Sequence, residues 1–247
     1  MTKYEHDIIV PFKGSGLPKK KQVEQMFDGI AHKYDFLNHF LSLGIDISWR
    51  KKAIDHLRSV KPQMILDVAT GTADMIIMAK KRLDAKKLYG IDISDGMLEL
   101  GRNKIKKEGM EEFVELLKGD SETISFKDDS FDAVTVGFGV RNFENLETGL
   151  SEIKRVLRPG GKLVVLEFSK PTATVIKPFY GFYMNRLAPW IGKLFSKNNC
   201  AYQYLNDSVQ KFPEGEQFVA ILNTLGFKNT SRKPLSLGIC SIYCGEK

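Results

Sequence analysis

The chain has 247 residues, 43% of them hydrophobic and 27% charged, enough to bury the core of one large domain. Its formal net charge of +7 fits an anionic partner (nucleic acid, acidic lipid or a phosphorylated substrate) or simply a basic solvated surface. Cys200, Cys240 and Cys244 are odd in number and lack CxxC spacing, so they support neither a disulfide framework nor a metal site, and a reducing cytosol fits. Met1 to Val10 is polar and charged, unlike a secretory signal, and no stretch reaches the ~20 apolar residues of a spanning helix. A soluble or peripheral protein is expected.

In chain order, residues 1–20 carry Pro11, Gly14, Gly16, Pro18 and Lys19-Lys20-Lys21, which reads as a flexible arm. From Gln22 to about His32, Val23, Met26, Phe27 and Ile30 have helical spacing. From Tyr34 to Lys52, aromatic and polar residues alternate too irregularly for a simple core helix. The region 21–58 reads as a lid over the mouth of the fold or as a packing helix with a cap.

Met64 to Val68 then forms a strand containing the acidic Asp67. The turn Ala69-Thr70-Gly71-Thr72-Ala73 follows, and an apolar helix starts near Met75. Gly71 permits a sharp turn and leaves its amide bare for close ligand approach. Lys87 to Ile93 gives a second strand ending in Asp92, and Asp95 to Lys107 a helix with Met97, Leu98 and Ile105 inward. Val114 to Lys118 leads to Gly119-Asp120-Ser121, a third acid-ended strand. Phe131 to Gly139 is the fourth strand; an amphipathic helix runs from Leu146 to Leu157 and stops at Arg158-Pro159-Gly160-Gly161. Lys162 to Phe168 is the fifth. Strands near 228–232 and 239–244 close the sheet. Near-continuous apolar strands alternating with helices predict an α/β, doubly wound, mostly parallel sheet. Residues 21–247 form a single domain in this reading.

A dinucleotide site wants G-x-G-x-x-G after the first strand, and only Gly71 is present in this loop. Three strands ending in Asp67, Asp92 and Asp120 would repel a pyrophosphate. They suit a ligand with an amine, a ribose, an adenine and a positive sulfonium, which is S-adenosylmethionine. A class I methyltransferase fold, Rossmann-like with seven strands and an antiparallel last strand, is the better match.

Tyr34-Asp35-x-x-Asn38-x-x-Leu41-Ser42 with Trp49-Arg50, Phe138-Gly139-Val140-Arg141-Asn142, and Arg155 to Ser169 together resemble the signatures of the ubiquinone/menaquinone C-methyltransferases. The resemblance spans nearly the whole chain. It implies methyl transfer from S-adenosylmethionine to a ring carbon of a prenylated quinol, demethylmenaquinol most often, with the benzoquinol step as the alternative. It carries cofactor contacts onto Thr72, Asp92, Asp120 and Ser121, with Gly71 in the loop and Gly137 where members often have serine. Ala73 departs from the glycine of general methyltransferase loops. Asp46 stands where many members have histidine.

Carbon methylation needs a quinol hydroxyl deprotonated and the ring carbon in line with the sulfonium methyl. Arg141 and Asn142, just past the fourth strand, are expected beside the methyl; Arg141 would stabilise a developing phenolate, or would be a surface salt bridge. Tyr34, Asp35 and Asn38 are lid groups, with Asp35 a second candidate proton acceptor, and Tyr202 adds a polar group to the substrate pocket. Residues 171–212 form an insertion whose segment 178–195 is aromatic and basic: a helix lying on an anionic membrane surface, or a buried pocket wall. The expected setting is cytoplasmic, peripheral at the inner face of the membrane, with a homodimer left open. An RNA methyltransferase or a non-catalytic binder on the same fold are the rivals. The positive charge is dispersed and no recognition module is visible, so no nucleic-acid partner is expected.

Overall fold

In a computed structural model, residues 4–42, 44–171 and 200–247 are described, the side chains of 33–41 and 202 excepted. Seven strands make one sheet: β1 Met64–Val68, β2 Lys87–Asp92, β3 Val114–Lys118, β4 Phe131–Gly137, β5 Leu157–Phe168, β6 Lys228–Leu235 and β7 Cys240–Glu246. Their order is β3-β2-β1-β4-β5-β7-β6. The first five are parallel neighbours, and β7 runs antiparallel to both β5 and β6. The α/β class with one antiparallel last strand therefore holds. The chain winds outward from β1 to β3 and returns to the other side of β1 as β4, so the carboxyl ends of β1 and β4 flank the switch point where open sheets bind ligands.

Among the described residues the α-helices are α1 Lys19–Leu41, α2 Ile45–Asp55, α3 Asp74–Arg82, α4 Asp95–Lys107, α5 Leu146–Val156, α6 Cys200–Lys211 and α7 Glu216–Thr224. Alternation along the strands sends Ile65, Leu88, Val164 and Leu166 to one face, where Ile54 of α2, Ile76 of α3 and Leu98 of α4 cover them. Leu66, Val134, Val136 and Val165 face the other side, against Leu150 and Ile153 of α5 and Phe218 of α7. Truncating one of these fully buried leucines to alanine would cost about 2–5 kcal/mol. Local signals set the ends: Ser94 caps α4 by accepting the Met97 amide, and Asn145 caps α5 by accepting that of Thr148.

The structure departs from the sequence reading at three places. First, α1 is continuous from Lys19 to Leu41, although the side-chain pattern breaks near His32. Tertiary contacts hold it: Val23 and Met26 are buried, and the Asp28 carboxylate accepts from the Ser94 hydroxyl (2.6 Å) and the Gly96 amide (3.0 Å) at the N-terminus of α4. Second, the expected arm packs against the body from Tyr4 onward. Glu5–Ile8 is a 3-10 turn, His6 is fully buried with its ring edge-on to Phe212, and Lys19 Nζ donates to the His6 carbonyl at 2.9 Å. Third, β5 begins at Leu157. Arg158-Pro159-Gly160-Gly161 is a bulge inside the strand, where the register jumps from Phe131↔Leu157 to Ala133↔Lys162. The segment 178–195 lies outside the described residues.

Candidate active site

The loop leaving β1 is wound tightly: Ala69, Gly71 and Ala73 all have left-handed backbone angles (φ 54, 55 and 70°). Alanine there stores strain of order 1 kcal/mol, which persists only when the surroundings over-determine the loop. Two acids do so. Asp67, almost fully buried, accepts from the Thr70 hydroxyl at 2.6 Å and the Thr135 hydroxyl at 2.5 Å, fastening the loop and β4 to β1. Asp92 accepts the Gly71 amide at 2.8 Å through one oxygen and the Ser94 amide at 2.9 Å through the other. Burial pushes each carboxyl up to about 6, against the hydrogen bonds that hold it down. A cation or a set of hydroxyl donors would relieve both.

Across from this loop, Phe138 at the end of β4 is also left-handed (φ 58°), a costly state for an aromatic residue. It is followed by Gly139, where a Cβ would meet the Ala69 Cβ at 2.6 Å. Glycine therefore lets the β1 and β4 loops close on one another. Between them opens a cleft at the carboxyl edge of the sheet. Gly71, Asp92, Asp120, Ser121, Gly137 and Asn142 line it together, and α1 contributes Lys20, Val23 and Phe27 to its wall. A Cβ on Gly137 would sit 3.7 Å from Met75, an ordinary contact, so the position has room for a Cβ.

Other expected residues lie elsewhere. The Thr72 hydroxyl accepts from Lys104 at 2.9 Å, and Thr72 does not line the cleft. Within the cleft, the Asp120 carboxylate is in an ion pair with Lys20 from α1, a long-range partner that no local signal marks. Tyr34, Asp35 and Asn38 fall on the C-terminal half of α1 and Tyr202 on α6, with their side chains outside the described residues. Asp46 is buried and paired with Arg50, and accepts the Ser42 hydroxyl at 2.6 Å.

Arg141 is not a surface cation. It is about 6% exposed, and its Nη1 donates to the Phe138 carbonyl at 2.6 Å and to Glu167 Oε1 at 2.7 Å. Glu167 at the end of β5 is fully buried; burial raises its pKa and Arg141 opposes the shift. Sequence reading gave Glu167 no role, although one acid closing the otherwise apolar run Leu163 to Phe168 was the available signal. Beside this pair, Trp49, Phe138 and Phe168 pack as a cluster, with ring centroids 6.3 Å (Trp49–Phe168) and 4.5 Å (Phe138–Phe168) apart. Arg50 lies 5.7 Å over Phe138 and Arg141 5.5 Å over Phe168. The carboxyl edge thus joins a polar, acid-lined cleft to an aromatic, cation-fringed corner. Among the described residues no group of three His, Cys, Asp or Glu could hold a metal ion.

The sequence profile of the ubiE/COQ5 methyltransferase family matches residues 16–247. The chain belongs to the ubiE/COQ5 methyltransferase family. It is 47% identical over 244 residues to the demethylmenaquinone methyltransferase of Bacteroides fragilis, covering 99% of each chain. It is 45% identical to the ubiquinone/menaquinone biosynthesis C-methyltransferase UbiE of Geotalea daltonii, covering 93% of this chain and 97% of that one. Among solved structures it is similar to an S-adenosylmethionine-dependent methyltransferase from Thermotoga maritima (TM-score 0.62, 20% identity, 90% of this chain and 99% of that one), a likeness of fold. The protein is a methyltransferase with the fold of enzymes that use S-adenosylmethionine. Among the described residues no helix is long and apolar enough to cross a membrane.

Proposed function

We propose that this methyltransferase moves the methyl group of S-adenosylmethionine to a ring carbon of a prenylated quinol, with demethylmenaquinol as its substrate. The observation that carries the reading is the joined site: a cleft ringed by Asp92, Asp120 and strained small-residue loops, opening beside the Trp49–Phe138–Phe168 cluster. The near full-length likeness to proteins named for this step supports the naphthoquinol over the benzoquinol.

The residues fit the cofactor by their chemistry. Asp92 already has each oxygen oriented by a backbone amide, and its remaining lone pairs suit the two ribose hydroxyls. Asp120 suits the adenine amine once Lys20 yields it, with Ser121 beside it and the Gly71 and Gly137 backbones giving close approach. Thr72 serves by holding the loop against Lys104. When bound, the sulfonium supplies an electrophilic methyl; the protein supplies alignment, water exclusion and proton handling. Asn142 lines the cleft and Arg141 is next in chain, so both are assigned to the methyl end, while Tyr34, Asn38 and Tyr202 are assigned to the quinol and Asp35 stays a second candidate proton acceptor.

The aromatic, basic segment 178–195 supports docking on an anionic membrane surface, from which a prenylated substrate would be drawn. Co-sedimentation with anionic liposomes at low salt tests this; wild-type protein staying in solution would make the segment a pocket wall. The reaction is tested by incubating the protein and methyl-labelled cofactor with lipids from cells lacking their own quinol C-methyltransferase. Label in a prenyl naphthoquinone is the expected result, and label in RNA or nowhere would overturn the reading.

A further inference from the structure

A buried polar group that the cofactor cleft does not use lies behind Arg141. Glu167 bonds Arg141 through Oε1, while its Oε2 is sealed from solvent and has no hydrogen-bond partner among the described residues. The same is true of Arg141 Nε, the Tyr204 hydroxyl on α6 and Asn142 Oδ1. Buried polar atoms rarely go unpartnered, since each loses its water with nothing in return, and four such atoms in neighbouring residues point to a polar guest. The guest is also constrained in kind. The site offers an acceptor (Glu167 Oε2), donors (Arg141 Nε and the Tyr204 hydroxyl) and the flanking aromatic ring of Phe168, 5.5 Å from the Arg141 guanidinium. That set suits a hydroxyl on an aromatic ring.

We propose that Glu167 is the catalytic base that takes the proton of the quinol hydroxyl, with Arg141 positioning it and Tyr204 donating to the same oxygen. This rests on the quinol reading above and deepens it. As Glu167 removes the hydroxyl proton, the electron pair moves into the ring, the new carbon–methyl bond forms and the sulfur–methyl bond breaks. The ring is then a ketone with an sp3 carbon bearing hydrogen and methyl. Loss of that hydrogen as a proton to water, and return of the proton from Glu167 to the oxygen, restores the quinol. One proton is released per methyl transferred, and Glu167 ends as it began.

The surroundings suit a base. Burial raises the carboxyl above the ordinary carboxylate range, and Arg141 opposes that shift by favouring the carboxylate. The titratable or charged groups packed about it are Arg141 beyond β4, Tyr204 on α6 and Cys240 on β7. Burial raises both Tyr204 and Cys240, which keeps the phenol and thiol protonated, and Lys19 of α1 reaches the Arg141 carbonyl at 3.4 Å. Tyr204 thus remains a donor.

The test compares wild type with Glu167→Gln, Glu167→Asp and Tyr204→Phe in methyl transfer to reduced demethylmenaquinone, alongside cofactor affinity and melting temperature. Glu167→Gln keeps the shape and the bond to Arg141 but cannot accept the proton. It should lower kcat about 10²–10³-fold with KM and cofactor affinity nearly unchanged, as loss of a positioned base does. Raising the pH should restore part of the rate by ionising the quinol in solution, and Glu167→Asp should retain more activity than the glutamine variant. Tyr204→Phe should lose about tenfold. A folded Glu167→Gln protein with wild-type kcat, or one whose loss is confined to cofactor affinity and melting temperature with no rescue at high pH, overturns the proposal. Wild type failing on reduced demethylmenaquinone would sink the quinol reading itself, a separate outcome.

Discussion

Asp92 accepts the amide proton of Gly71 at 2.8 Å, which makes the acid ending β2 and the loop leaving β1 one rigid unit on the floor of the cleft. If the remaining lone pairs of Asp92 hold ribose hydroxyls, Asp92→Ala should weaken S-adenosylmethionine binding by about 1.5–3 kcal/mol, the range for hydrogen bonds to a charged group. Titration calorimetry on the folded variant reads this directly. Unchanged affinity would remove Asp92 from the binding site.

The same carboxyl gives a pH signature. Burial raises it to about 6, above the roughly 3.9 of the unfolded chain, so folding favours its protonated form. Its contribution to stability is complete below about pH 4 and is lost as pH rises through about 6. At about 1.4 kcal/mol per pKa unit, Asp92→Asn should gain of order 3 kcal/mol on wild type between pH 4 and 7 in denaturant unfolding of the ligand-free protein. Cofactor affinity should show the opposite dependence: it rises through pH 6 in wild type, as the carboxylate forms, and stays flat in the asparagine variant. Parallel curves for the two proteins would contradict the assignment.

Gly139 lies where the β4 loop crosses the β1 loop. Gly139→Ala brings a Cβ within 2.6 Å of the Ala69 Cβ and 3.1 Å of Val136, neither of which is the loose end of a flexible side chain. The backbone must shift, at a cost of about 1–3 kcal/mol, and the cleft widens with it. Lower melting temperature together with weaker cofactor binding is the expected pair of results. A stability loss with unaltered affinity would mean that this crossing does not shape the site.

Arg141 and Glu167 should behave as a coupled pair in unfolding experiments. Arg141→Met strands a buried carboxylate and should cost about 3–5 kcal/mol, while adding Glu167→Gln removes the stranded charge and should recover much of that loss. Additive effects in the double-mutant cycle would show that the two side chains do not share an interaction. Arg141 is thus a weak subject for single-variant kinetics, since charge loss and stability loss arrive together.

What the sequence made legible follows physical range. The acid-ended strands and the Gly71 turn are local signals, each set by a few adjacent residues, and Asp92, Asp120, Ser121 and Gly137 come to line one cleft. The length of α1 was hidden because its hold on the body, Asp28 at the N-terminus of α4, joins residues far apart in the chain. The Lys20–Asp120 pair and the partner of Arg141 were hidden for the same reason. Thr72 illustrates a subtler gap: its position in the loop was readable, but the direction of its side chain toward Lys104 depends on the left-handed turns at Gly71 and Ala73. The bulge at Arg158 to Gly161 looked like a turn because its Pro-Gly-Gly is turn chemistry; the pairing of Leu157 with Phe131 keeps it in the strand.

The most direct test of the account is methyl transfer by the purified protein to demethylmenaquinone, supplied with S-adenosylmethionine both in the reduced and in the oxidised form. Only the quinol carries a hydroxyl proton whose removal makes the ring carbon nucleophilic. The account predicts one methyl added to a ring carbon of the reduced substrate, identified by mass and NMR, and none added to the quinone. Methylation on oxygen, equal rates with both forms, or no transfer by protein that binds the cofactor would contradict it.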